Sequence, residues 1–164
     1  MIGPQRRRFL CTAMLAVPLA GLGLVSSCSW ISGEKKVEQR LKRVSHSNGF
    51  SVEFDEAAWS AAPTANGFHF THVGAASMRT PPSLRLELQA EGKPSGEFSE
   101  TIERDGKTVH LRRESGEAGS GGAEHRLSAW TALGKGYALV SASQQSETGR
   151  PGFEDALAVL VSAK

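Results

Sequence analysis

Ser120 and His125 stand five residues apart in the run EAGSGGAEHRL (117–127), with Gly119, Gly121 and Gly122 around the serine and Glu124 beside the histidine. Three uses fit such a set. A serine near a histidine can begin a nucleophile–base pair, and a glycine loop can cradle a phosphate on its backbone N–H groups. A pliant loop can also carry no chemistry and fit another protein's surface. The phosphate option requires Gly-Lys and then Ser or Thr, with another glycine five places before the first, at a helix start. GEAGSGGAEH has no lysine, and Gly106-Lys107-Thr108 has Thr101 where that glycine belongs and sits in a hairpin signal. A hydrolase elbow needs glycines on both sides of the serine and a helix after it. Ser120 has Gly122 two places on but Ala118 two places back, and an alternating, strand-like stretch follows.

Metal chemistry finds no better footing. His69 and His72 are three apart, which on a strand places them on opposite faces. His46, His110 and His125 are scattered and are expected as half-exposed strand or loop residues. No stretch has the oxygen-ligand spacing of a calcium loop. Glu114, Glu117 and Glu124 are acids of the kind any solvated surface carries. The expectation is no catalytic residue, no metal of its own and no enzyme. Binding remains.

The elements that must position this loop begin after a leader. Arg6, Arg7 and Arg8 precede FLCTAMLAVPLAGLGL, an uncharged apolar run broken by Pro18, Gly21 and Gly23. It is too short and too interrupted for a comfortable membrane span of about 20 residues, and fits a secretory signal. VSSC (25–28) resembles the bacterial lipoprotein box, which implies cleavage before Cys28 and a lipid on its thiol. With Ser29 following, that resemblance implies anchoring to the periplasmic face of the outer membrane. RRRFL also resembles a twin-arginine signal, flanked imperfectly by Gln5 and Cys11.

The expected organisation is a signal peptide at 1–27, a lipid-anchored tether at 28–47 and a single domain at 48–164. Removing the leader leaves 16 basic against 17 acidic residues, a formal −1 in place of +2. A near-neutral body lacks the clustered cations that nucleic acid requires. Cys11 leaves with the leader and Cys28 carries the lipid, so no thiol remains for a disulfide or a thiolate metal site.

In the tether, Val37, Leu41 and Val44 recur at a helical spacing among polar residues. From Phe50 the period becomes two. Phe50, Val52 and Phe54 alternate with polar residues, Trp59 caps the core they build, and Pro63 to Gly67 turns the chain. FHFTHV and SLRLELQA continue the pattern, with Leu84, Leu86 and Leu88 inward and Arg85, Glu87 and Gln89 outward. A strand over 98–103 meets Asp105-Gly106, a strong hairpin signal because a type I′ turn wants positive φ at both central residues. Val109 and Leu111, a strand over 126–132, the turn 134–136 and a strand over 137–143 follow. Phe153, Ala156, Leu157, Leu160 and Val161 form one helix face, with Glu154 and Asp155 at its positive end. The expected fold is α+β: an antiparallel sheet of six or seven strands with a C-terminal helix packed on one face.

SHSNGFSVEFDEAAW, PPSLRLEL, GSGGAEHRLSAW and GFEDALAVL resemble periplasmic immunity lipoproteins of type VI secretion systems that neutralise a peptidoglycan-cleaving muramidase. The first of these is also similar to the opening of PsbP-like domains. The resemblance implies a binding protein whose partner is a cognate peptidoglycan-hydrolase effector. It implies loops that occlude the effector's cleft: Ser120, Gly121, Gly122, Glu124 and His125 from one, and Gln144, Gln145 and Glu147 from SQQSETGRPG. It implies no cofactor, with calcium possible on the effector, near Ser120 and Glu124. His125 departs from the pattern, which leads one to expect an aromatic such as Tyr. The rival expectation is a general outer-membrane lipoprotein with a PsbP-like structural or assembly role.

Overall fold

Alternation in the sequence becomes a sheet with two unequal faces. The computed structural model describes residues 39–119, 122–146 and 153–164. Its elements are β1 (Leu41–Ser45), β2 (Ser51–Asp55), β3 (Trp59–Pro63), β4 (Gly67–His72), β5 (Ser83–Gln89), β6 (Glu100–Arg104), β7 (Lys107–Glu117), β8 (Ala123–Ala132), β9 (Tyr137–Ser146) and α1 (Glu154–Ser162). The antiparallel order β3-β4-β5-β9-β8-β7-β6 makes a seven-stranded sheet, and β1 pairs with β2 in a separate ribbon. The fold is mostly β with a single C-terminal helix, in keeping with the sequence reading.

Two meanders meet at the centre. β3, β4 and β5 follow one another, as do β6, β7, β8 and β9, and β5 pairs with β9. Residues 90–99 therefore run from the middle of the sheet to its far edge. The Asp105-Gly106 turn has φ 50° and φ 74°, the two positive values that the hairpin signal demands.

The inner face is apolar. Phe68, Phe70, Leu84, Leu86, Val109, Leu111, Leu127, Ala129, Ala138 and Val140 point to it and are buried with Phe50, Val52 and Phe54 of β2 and with Leu157, Leu160 and Val161 of α1. α1 begins after Phe153, whose φ of 56° turns the chain into the helix. Asp155 in the first turn accepts a 2.9 Å hydrogen bond from Trp59 Nε1, so the polar edge of a buried indole is satisfied where the helix starts. At Gly67 a side chain is excluded, since a Cβ would stand 2.0 Å from the Leu86 carbonyl oxygen.

Two strands differ from the sequence expectation. Leu41–Ser45, within the stretch expected as a tether, is a strand paired in register with β2, Val44 opposite Val52. Leu41 and Val44 share no helix face: both lie in this strand, with Leu41 66% exposed. β3 was expected only as a turn and a capping tryptophan. It is an edge strand, where Pro63 is tolerated because one side of the strand needs no N–H donor.

Candidate functional site

β7, β8 and β9, ten or eleven residues each, end together at one rim of the sheet. There the β7–β8 hairpin closes through Ala118 N–H donating to the Gly122 carbonyl at 3.1 Å. Gly122 has φ 76°, which a side chain would strain. The pleat then divides the residues singled out in the sequence. Gly116, Glu124 and Gln145 lie in one cross-strand row and Ser115, His125 and Gln144 in the next. Successive rows face opposite sides of the sheet. Glu124 and Gln145 thus share the outer face, while His125 and Gln144 point the other way. Ser120, Gly121, Glu147 and Cys28 lie outside the described residues.

His125 is not the half-exposed residue expected. It is 6% exposed, continuing the inward series Leu127, Ala129 and Thr131. Its Nδ1 shares a 2.8 Å hydrogen bond with Ser115 Oγ, fastening β8 to β7 just beneath the loop. Its ring supports the hairpin and does not offer a surface. His46 is buried as well, with Nε2 donating to the Thr64 carbonyl at 2.8 Å and Nδ1 accepting from Asn48 N–H. Both roles belong to one neutral tautomer, and they tie the β1–β2 turn to the β3–β4 turn. Among the described residues, no three His, Cys, Asp or Glu side chains converge on a metal-sized site.

Glu124 accepts a 2.8 Å hydrogen bond from Arg126 Nη2. That bond, followed by the charge of Glu124, raises the Arg126 pKa above its ordinary value. A hollow of about 300 Å³ lies among Glu114, Gly116, Glu117, Glu124 and Arg126. It adjoins a second of about 330 Å³, on the outer face proper, whose lining includes Arg85, Ser128, Ser141 and Ser143 and again Glu114 and Arg126. The serines stand where three strands run side by side, and Ser143 Oγ meets Ser83 Oγ at 2.8 Å. Arginines rise from both sides. Each is matched by a glutamate two residues along its own strand: Arg85 with Glu87 at 2.8 Å, Arg112 with Glu114 at 3.3 Å, Arg126 with Glu124 at 2.8 Å.

The opposite half of the outer face is covered. Trp130 is 5% exposed although it points away from the core. His110 stacks on its ring at 4.2 Å, Phe98 and Tyr137 meet it edge-on, and Lys93 Nζ lies 5.2 Å from its centroid. Phe98 and Lys93 come from the 90–99 segment, which acts as a strap. Sequence reasoning missed this division. Alternation marked Arg85 as outward but gave no sign of which outward residues a crossing segment would cover.

A family model, the type six secretion immunity 3 domain, matches residues 57–164. The chain belongs to that family. It is similar to the immune protein Tsi3 of Pseudomonas aeruginosa, with 34% identity over 123 residues that span 75% of this chain and 81% of that protein. A crystal structure from Bacteroides thetaiotaomicron superposes with a TM-score of 0.55 at 12% identity, over 75% of this chain and 47% of that one. This chain spans about half the length of that structure, and the likeness concerns the fold alone. Family membership makes the protein a type VI secretion immunity protein, which implies binding to a cognate effector. That favours the immunity role over the rival structural or assembly role.

Proposed function

We propose that the protein blocks a peptidoglycan-cleaving muramidase effector in the periplasm, held at the outer membrane by lipid on Cys28. The observation that carries this reading is the shared rim. The ends of β7, β8 and β9 lie side by side, so the two segments predicted to bind leave the sheet at one rim. A rigid sheet lowers the entropy lost when such a loop is ordered against a partner. In this reading Ser120, Gly121, Gly122 and Glu124 enter the effector's sugar-binding cleft, and Gln144, Gln145 and Glu147 flank it. His125 holds the hairpin from below through Ser115. Calcium, if the effector bears it, meets here the Glu124 carboxylate, which would exchange Arg126 for the ion. Hard carboxylate oxygen suits calcium, and in this reading the ion belongs to the effector.

The test is a mixture of soluble protein, residues 29–164, with the effector encoded beside its gene. The expected result is a stable complex and loss of cell-wall hydrolysis. No complex, or an effector that leaves glycan strands intact, would overturn the proposal. Ser120→Ala with Glu124→Ala, in a folded protein, is expected to weaken inhibition. Unchanged inhibition would move the site away from the hairpin end.

A further inference from the structure

A standard complex buries about 800 Å² on each partner, and its strongest contacts are commonly aromatic or Arg side chains. The two loops, 118–122 and 147–152, carry no aromatic and a single arginine, Arg150. The neighbouring outer face adds two more guanidinium groups. Arg126 and Arg85 rise beside the serine floor with side chains 62% and 56% exposed. Their ion pairs with Glu124 and Glu87 are solvent-exposed, and such pairs contribute little. Either guanidinium can therefore exchange its glutamate for a partner's acceptor at small cost, and a guanidinium binds a carboxylate through two parallel hydrogen bonds.

The extent of the surface also fits. From β5 to β7 is three strand spacings, and from the Ser141 row to the Gln145 row four residues. With side-chain margins, that is about 20 Å by 20 Å, or about half of one partner's share of a standard interface. The two hollows share Glu114 and Arg126, so floor and rim form one surface. Charges on it balance in Arg–Glu pairs, which suits a polar protein surface and not a polyanion.

We propose that the uncovered half of the outer face, the floor of Ser128 and Ser141 between Arg85 and Arg126, supplies the anchors of the effector interface. It receives an acceptor-rich protein surface, carboxylates and carbonyls, from the cognate effector. This rests on the reading above, that effector binding occurs at the β7–β9 rim.

Titration calorimetry of the 29–164 protein with that effector tests it. Arg85→Ala and Arg126→Ala, at exposed positions, are expected to weaken binding about tenfold each. Ser141→Trp, which fills the floor, is expected to weaken it about 100-fold, with the melting temperature of the free protein monitored in parallel. Ser120→Ala, at the hairpin tip, serves as the loop control. Wild-type binding retained by all three face variants overturns the face proposal, and a weakened Ser120→Ala protein then leaves the loop reading standing. Loss in the arginine variants with none in Ser120→Ala supports the face and counts against the loop. No complex with wild type overturns both. If Ser141→Trp fails to fold, the arginine variants decide alone.

Discussion

The two faces of the seven-stranded sheet are built from the same alternation yet carry opposite duties. The inner face is continuous: α1 and the β1–β2 ribbon cover it, and its buried residues from β4 to β7 are apolar apart from Thr131 and His125. The outer face is divided. The 90–99 strap closes one half over Trp130, and the other half stays open, lined with serine and paired arginine and glutamate. Stability is thus concentrated on one side and the proposed recognition on the other, with the strap as the border. A change inward is expected to act on folding, and a change on the open half on binding.

The comparison is easiest to break from the inner side. Leu160→Ala empties a fully buried site under the sheet and is expected to cost about 4 kcal/mol, seen as a lowered denaturation midpoint. A loss under 1 kcal/mol would mean that α1 is not part of the core. Trp130→Ala tests the border. It removes a ring packed from one side by the strap, with an expected cost of about 3 kcal/mol. It should also open residues 90–99 to limited proteolysis, and a strap still resistant would show another fastening. Arg85→Ala, on the open half, is expected to shift stability by no more than about 0.5 kcal/mol. A larger loss would make this half structural.

The smallest effect concerns pH. Lys107 donates a hydrogen bond to the Ala163 carbonyl beyond the end of α1. Burial first, then the charge of Lys164, lowers its pKa below 10.5. Between the folded and unfolded pKa values the unfolded chain holds more protons, so this group's contribution rises with pH in that window. The check is denaturation at several alkaline pH values, with Lys107→Met as reference. A wild-type advantage that falls as pH rises would contradict the sign.

Much of the inner face was legible in the sequence because hydrophobic alternation is a direct record of burial. SLRLELQ and RDGK each predicted one outcome, and each has it. β1 was not legible, since Leu41 and Arg43 are exposed and Val44 only half-buried, leaving no period of two to detect. The candidate site was legible as a place but not as a surface. Glu124 and His125 are neighbours in sequence and lie on opposite sides of the sheet. The step from Leu127 and Ala129 back to His125 was the available sign that its ring turns inward. Arg126 and Ser128 resemble any solvated strand face, and only the course of residues 90–99 shows which part of it is left open.

The position of β9 governs how the chain can assemble. It is made last among the strands yet belongs between β5 and β8, with Val140 seated beside Leu86 on one flank and Ala129 on the other. Until it arrives, each meander has a bare edge, and contacts so distant in sequence form slowly. A nascent copy would thus spend its vulnerable interval with two unpaired borders, and closure of that gap would set the pace at which protection becomes available.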